Sequence, residues 1–260
     1  MKTEECVLYE ERDGIAVITL SRPDVLNAIN VAMLQRIGRL LDAVREREAV
    51  RAVILTGAGI AFSAGADIGY LRSATPTEVR DFAHLAVRIT GMIEHLGKPV
   101  VAALNGLTFG GGLELAESCM IRVASNTAKL GHPEVRIGAV AGFGGTTRLA
   151  RLVGKGRAAE MLLRGRAIDA DEALRIGLVQ SVSEPGSLME DAEAFVREVL
   201  SQSPHAVRLT WEALHRGLNM TLEESAALGA DFFGLVAATE DFRIGTTAFV
   251  EKTRPVWTGK

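Results

Sequence analysis

Apolar positions change their spacing several times along this chain, and the changes mark out its elements. Residues 6–10 and 15–20 are β-rich apolar runs separated by Arg12, Asp13 and Gly14; Asp-Gly between two such runs predicts a hairpin. Behind Asn30, a residue suited to cap a helix, Met33, Leu34, Ile37, Leu40, Leu41 and Val44 return at helical spacing, which predicts a helix to about Arg47. Residues 52–56 are a short buried strand ending in Gly57, Ala58 and Gly59. Thr75, Pro76 and Glu78 combine a capping hydroxyl, proline at the first helical position and a glutamate placed to reach back, which starts a helix running to about His95. Residues 100–104 and 121–124 predict two further buried strands, with a glycine cluster and a short helix over 113–118 between them. Strand, crossover helix and strand in repetition predict parallel pairing with right-handed crossovers, hence an α/β core.

After about Thr146 the strand signal nearly vanishes. Residues 158–163, 169–176, 188–200, 204–216 and 222–252 favour helix, the last stretch broken near Glu240 and Asp241. This divides the chain into an α/β core over 1–200 and a helical region over 201–260. Leu228, Phe232, Phe233, Leu235 and Phe249 exceed what one short bundle can bury, so the helical region is expected to pack against another subunit.

Composition narrows the function. With 260 residues, 48% of them hydrophobic, the chain can bury a sizeable core. A formal net charge of −3 and 5% aromatic residues argue against nucleic acid as a partner, since neither phosphate attraction nor base stacking is provided. Cys6 and Cys119 have no metal-ligand spacing and fit a reducing compartment, so a cytoplasmic protein is expected. The opening MKTEECVLYEERDG is charged throughout and no apolar run reaches about 18 residues, so neither an export signal nor a membrane span is expected.

The chemistry concentrates in three segments. Gly110, Gly111 and Gly112 lie between a strand and a helix whose first turn holds Glu114. Glycines there let backbone approach a ligand closely, and the unpaired amides of a helix start attract negative charge. The alternative makes Gly110 to Gly112 a tight turn and Glu114 a surface residue complementing the helix dipole. The second segment, Phe62-Ser63-Ala64-Gly65-Ala66-Asp67, can bring a further amide to the same ligand, and two donors from separate loops stabilise an enolate or tetrahedral oxyanion. Ala61-x-Ser63-x-Gly65 also partly matches a serine-hydrolase elbow, with His132 as its base, and Gly57-x-Gly59 partly matches a dinucleotide fingerprint. The third segment is His132-Pro133-Glu134, followed by a glycine-rich loop ending in Gly144, Gly145 and Thr146. Glu134 reads either as a second acid/base group held by Pro133 or as a surface glutamate in a turn. His84, His95, His205 and His215 fall in helical patterns as exposed or core-edge residues, and no metal site is expected.

Together these segments resemble the crotonase (enoyl-CoA hydratase/isomerase) superfamily from the N-terminal hairpin to Phe249, Val250, Glu251 and Lys252. The resemblance is carried by Ser21-Arg22-Pro23 with Leu26-Asn27-Ala28, by residues 62–67, by Asn105-Gly106 with Gly110 to Gly112 and Glu114, and by Pro133-Glu134 with Gly144-Gly145-Thr146 and Arg148-Leu149. It implies a spiral of repeated ββα units with a helical C-terminal trimerisation region, assembled as a homotrimer or a dimer of trimers. It further implies that the amides of Ala66 and Gly111 form an oxyanion hole for the thioester carbonyl of an acyl-CoA. Glu114 and Glu134 would hold one water, one removing its proton and the other supplying the α-proton, which is the arrangement of an enoyl-CoA hydratase. Coenzyme A is then part of the substrate, and no separate cofactor is implied.

By the same resemblance the CoA tail runs past Arg22, Val25, Ala64, Asp67 and Ile68, with Phe249 and Lys252 arriving from a neighbouring subunit. The acyl pocket is built from residues 70–82 and C-terminal helices. Three positions depart from the family pattern, namely Met120 where Asp is usual, Ala141 where proline is common, and Gly69 where a lysine often helps bind CoA. These departures bear on acyl chain and phosphate binding more than on reaction class. The rivals are an isomerase or other lyase on this scaffold, with Glu134 alone shuttling the proton, and a non-catalytic acyl-CoA-binding member.

Overall fold

The computed structural model describes residues 6–260. The first five residues of the charged opening stretch read above as lacking an export signal lie outside them. The chain forms two compact units, Met1–Ala194 and Phe195–Lys260.

The first unit opens with the hairpin β1 (Val7–Arg12) and β2 (Ile15–Leu20), paired antiparallel from Val7↔Leu20 to Arg12↔Ile15 around Asp13 and Gly14. Asp13 takes the left-handed conformation there, as short polar side chains do in turns. Helix α1 (Val31–Glu46) follows, and Asn30 caps it by accepting from the Met33 amide at 2.9 Å. The apolar set picked out by helical spacing is the face it buries: Met33, Leu34, Ile37, Leu40, Leu41 and Val44.

From here the chain alternates between two sheets. β3 (Ala52–Gly57) enters the large sheet, β4 (Ala61–Ser63) the small one, and α2 (Ile68–Ser73) and α3 (Pro76–Glu94) return the chain. The expected capping box at the start of α3 forms, with Thr75 and Glu78 each bonding the other's backbone. β5 (Val100–Leu104), β6 (Leu107–Phe109) and α4 (Gly111–Glu117) repeat the unit, and β7 (Ile121–Ser125), β8 (Lys129–Gly131), α5 (Gly145–Val153) and α6 (Lys155–Arg164) do so again. β9 (Ile168–Asp169), α7 (Ala170–Arg175) and β10 (Ser181–Ser183) close the pattern. The large sheet runs β1-β2-β3-β5-β7-β10 and the small one β4-β6-β8-β9. This is a spiral of ββα units. Its core is filled by Ile18, Leu20, Leu34, Ile37, Leu55, Phe62, Leu104, Leu113 and their neighbours.

Three features differ from the sequence reading. Strands β4, β6 and β8, not among the predicted strands, make a small sheet together with β9, with parallel pairs such as Leu107↔Lys129 and Thr108↔Leu130. Strands β9 and β10 lie in the part read as helical, and β10 extends the large sheet through Ser181↔Val123. Helix α4 begins at Gly111, ahead of the expected Leu113, so two glycines sit inside its first turn.

Helix α8 (Leu188–Leu200) spans the division, and the second unit continues with α9 (Pro204–Gly217), α10 (Leu222–Ala237) and α11 (Glu240–Glu251). The break expected near Glu240 falls at Ala238 and Thr239, where Thr239 caps α11 through the Phe242 amide. Asp241 is buried within this unit and gathers Ser203 Oγ and the amides of Thr258 and Gly259. Helix α10 buries none of its residues, and Phe233, Leu235 and, on α11, Phe249 are exposed. No helix among the described residues is long and apolar enough to cross a membrane.

Candidate active site

The site is assembled where the chain leaves strands β4 and β6 of the small sheet for helices α2 and α4. The loop after β4 and the start of α4 touch through glycine: Gly65 has φ +104°, and a Cβ placed on it would lie 3.0 Å from Phe109 O and 3.4 Å from the Gly111 amide nitrogen. A side chain there is excluded by both conformation and space. This contact sets Ala66 beside Gly111. Neither amide donates to an acceptor among the described residues, Gly111 because it opens a helix and Ala66 because its flanking bonds run from Ile29 N to Gly65 O and from Asp67 N to Ile29 O.

Glu114 is 1% exposed, which rules out the surface reading. Its Oε1 accepts from the amides of Phe143 and Gly145, each at 2.7 Å, leaving Oε2 without a donor among the described residues. Burial pushes this carboxyl up to about 7, helped by the charges of Glu117 and Glu134; the Gly145 amide and His132 pull the other way. The loop that supplies the two amides is itself fastened. Arg148 donates to Phe143 O at 2.8 Å and forms a two-pronged pair with Glu94 at 2.6 and 2.8 Å.

Glu134 opens a short 3₁₀ turn, Glu134–Ile137, right after Pro133, and its side chain is 14% exposed. Its Oε2 is buried with no hydrogen-bond partner among the described residues. Its Oε1 lies 3.2 Å from where a Cβ on Gly110 would stand, so Glu134 adjoins the same glycine turn that presents the Gly111 amide. The structure therefore gathers Glu114, Glu134 and the amides of Ala66 and Gly111 around one place. An ionised carboxylate with unpaired buried lone pairs accepts a water proton readily, and two unpaired amides receive a developing oxyanion.

Sequence reasoning missed what lies behind Glu134. His132 is fully buried, with Nε2 2.8 Å from Glu117 Oε1 and Nδ1 a long 3.4 Å from Glu134 Oε1. Burial alone opposes a charged ring, but the hydrogen bonds and charges of Glu117 and Glu134 prevail and hold the imidazole up at about 10. Glu117 falls on the apolar side of α4, so a charged residue at a helical core position was the available signal. The sign of the effect on stability follows. A pKa raised in the folded state contributes stability that is full below the unfolded value and lost as pH rises through the folded one. His132 therefore supports the fold below about 6.5 and ceases to do so between there and about 10, while Glu114 acts the same way between 4.5 and about 7. Urea midpoints should fall from pH 6 to pH 9.5 in the wild-type protein and fall less in His132→Gln; equal slopes would contradict this.

Neither partial match among the motifs forms. Ser63 sits on β4 with its hydroxyl bonded to Asn27 O and the Gly65 amide, far from the geometry of a nucleophile elbow, and His132 is committed to Glu117. After Gly57 the chain enters β4 where a dinucleotide site needs a helix.

The residues expected along the CoA tail divide between the two units. In the first, the loop at 22–29 is zipped to the loop at 64–68: Ala64 N donates to Leu26 O, and Arg22 Nη1 pairs with Asp67 Oδ2 at 2.9 Å. Burial works to raise the Asp67 carboxyl, yet Arg22 and the amides of Tyr70 and Gly69 hold it below its usual range. Val25 and Ile68 are exposed on either side of this seam, and Ala64 is half-buried. Arg22 is thus a charge already shared with Asp67. Phe249 is exposed on α11 and Lys252 is its exposed, left-handed C-cap, both in the second unit. No group of three or more His, Cys, Asp or Glu residues among those described is arranged to hold a metal.

Comparison with known proteins agrees with this geometry. The sequence profile of the enoyl-CoA hydratase/isomerase family matches residues 10–260. The chain belongs to this family. Among its relatives, the short-chain-enoyl-CoA hydratase of Clostridium acetobutylicum is 43% identical over 249 residues, covering 95% of each chain. The crotonyl-CoA hydratase of Syntrophomonas wolfei is 41% identical over 251 residues, covering 96% of each. The crystal structure of an enoyl-CoA hydratase from Bacillus anthracis superposes with a TM-score of 0.94 at 35% identity, covering 98% of this chain and 100% of that one. In this chain Glu114 and Glu134 lie on either side of His132, and the amides of Ala66 and Gly111 have no acceptor among the described residues.

Proposed function

We propose that this protein is an enoyl-CoA hydratase that adds water across the 2,3-double bond of a 2-enoyl-CoA thioester. The observation that carries the reading is that Glu114 and Glu134 flank one buried imidazole, His132, and act on each other's charge, while Glu134 also adjoins the glycine turn that presents the Gly111 amide. The amides of Ala66 and Gly111 receive the thioester oxygen. Charge drawn onto that oxygen makes the β-carbon electrophilic and the α-carbon basic, so water held between the carboxylates can add while a proton is delivered to the α-carbon. Both protons are handled by carboxyl groups and the developing charge by amides, so the reaction as read draws on no metal or redox cofactor. Coenzyme A enters as part of the substrate.

The relatives' names support a short acyl chain, crotonyl-CoA being the first substrate to try. The CoA tail follows the seam of Arg22, Val25, Ala64, Asp67 and Ile68, and Phe249 and Lys252 complete its site from a neighbouring subunit. The exposed Phe233, Leu235 and Phe249 of the helical unit support a homotrimer or a dimer of trimers. The two buried cysteines support a cytoplasmic setting.

The test is turnover of crotonyl-CoA and of longer, branched and aromatic enoyl-CoA thioesters, followed by loss of enoyl absorbance. Hydration of at least the short thioesters is expected, with the rate falling as the chain lengthens. Acyl-CoA binding with no turnover across the set would make the protein a non-catalytic member, and migration of a 3-enoyl double bond without hydration would make it an isomerase.

A further inference from the structure

Behind the acid/base couple stands a buried ionic pair that hydration chemistry does not by itself require. Glu117 is the last residue of α4, one turn beyond Glu114, and it is buried with its Oε2 unbonded; His132 is its hydrogen-bond partner among the described residues. His132 turns its other nitrogen to Glu134. The same ring also lies beside Glu114. A Cβ on Gly145 would be 2.8 Å from His132 Cε1 and 3.0 Å from Glu114 Oε1, so a single glycine separates the ring from the first carboxylate.

We propose that the Glu117–His132 pair is a built-in cationic clamp, a positioning device in which Glu117 fixes the imidazolium and the imidazolium fixes the carboxylate of Glu134 opposite Glu114. The inference rests on the reading of Glu114 and Glu134 as the acid/base couple. Its physical ground is that three carboxylates, Glu114, Glu117 and Glu134, share one buried space, and like charges there repel. Without a cation, the cheapest response is for Glu134 to swing out to solvent. With His132 charged, two of the carboxylates have a common counter-ion, and the geometry of one of them is fixed by that bond. The other charged groups acting on the cluster are Arg148 of α5, paired with Glu94 of α3, and the buried Arg122 of β7, whose charge acts on Glu117; Arg148 donates to Glu94 and to Phe143 O, Arg122 donates to Leu178 O and Cys119 O, and neither bonds Glu134. The clamp is thus the local source of positive charge for Glu134. The high pKa of His132 agrees with a ring that stays charged through the working range.

The test measures Glu117→Gln, His132→Gln and the double variant for crotonyl-CoA hydration between pH 6 and 9, with thermal melting and acyl-CoA binding alongside. Each variant should lower kcat on the order of 10- to 100-fold at neutral pH, the scale expected for misplacing a reacting group, with KM changed by less than about threefold. The double variant should be no worse than His132→Gln, because both changes break one path. The pH profiles separate a clamp from a merely structural pair. In Glu117→Gln the ring loses its main anion and gives up its proton at lower pH than in the wild type, so kcat relative to wild type should fall as pH rises; in His132→Gln that ratio should be flat.

Folded variants with wild-type kcat and flat ratios would overturn the proposal. Should both variants fail to fold, ¹⁵N NMR of His132 in the intact wild-type protein decides: two protonated nitrogens at pH 8 uphold the clamp, and a neutral ring overturns it. Glu114→Gln and Glu134→Gln run in parallel distinguish the two levels. If these lose activity while the clamp variants keep it, only the clamp fails; if these keep it, the acid/base reading fails as well.

Discussion

Glu114→Gln and Glu134→Gln should each lower kcat for crotonyl-CoA hydration by about 10²- to 10⁴-fold, the range that a positioned acid or base contributes, while leaving KM within a few-fold. Glutamine keeps the size of glutamate, so the loss can be assigned to proton transfer. At Glu114 the amide oxygen can still accept from Phe143 N and Gly145 N, the bonds that hold the carboxylate now. The neutral side chain also escapes the burial cost that pushes this carboxyl up to about 7, so Glu114→Gln should be at least as stable as the wild type above that pH. An inactive yet more stable variant is difficult to explain by misfolding. At Glu134 the substitution removes the negative charge facing His132 and replaces a buried oxygen that has no partner among the described residues. If Glu114→Gln hydrates at the wild-type rate, Glu134 alone handles the proton and the protein is better described as an isomerase or another lyase of the family.

Gly106→Ala should cost about 3 kcal/mol of stability, the upper part of the range for overpacking. A Cβ on Gly106 would stand 2.1 Å from Ile60 O and 2.9 Å from Ile60 C, and backbone cannot yield as a flexible side chain can. The two residues lie where the chain enters β4 and β6, joined by the bond from Leu107 N to Ile60 O and by the pairing Ala61↔Leu107. Pushing them apart strains the entry end of the small sheet, whose strands β4 and β6 lead at their far ends to Ala66 and Gly111, so the fraction that folds should also lose kcat. Gly156→Ala is the control. It lies in α6 with nothing within 4 Å of the new methyl, and in a helix alanine should stabilise by about 0.4–1 kcal/mol. Urea unfolding of the two variants measures both effects, and a loss below about 1 kcal/mol at Gly106 would show that the contact relaxes.

The parts of the fold that could be read beforehand are those whose burial has a period. The hairpin, α1, α3 and the strands at 52–56, 100–104 and 121–124 each bury a face or a whole run, and an apolar pattern reports that. Strands β4, β6 and β8 are three residues each, too short to show alternation, and the polar and glycine residues around them look like loop. β10 is similarly short and its inward residue is Ser183, so it carried no apolar signal.

At the site, the motifs named Ala66, Gly111, Glu114 and Glu134 through resemblance, while spacing alone left both glutamates open to a surface role. Burial decides that for Glu114, and it depends on the Phe143 loop folding back over α4, a contact between distant segments that no local pattern encodes. The same holds for His132. It was weighed only as the base of a serine hydrolase, because its partners Glu117 and Glu134 meet it across separate turns. The seam holding Arg22 against Asp67 likewise joins positions far apart in sequence.

On this reading one thioester oxygen meets two amides while two carboxylates face the neighbouring carbons. A crystal structure of the protein with a saturated acyl-CoA such as butyryl-CoA, which cannot be hydrated, tests it most directly. The thioester oxygen should lie about 2.7–3.1 Å from both the Ala66 and Gly111 nitrogens, with Glu114 and Glu134 on one side of the acyl chain at its α- and β-carbons. A thioester oxygen bound away from either amide, or an acyl chain that passes Glu114 and Glu134 by, would contradict it.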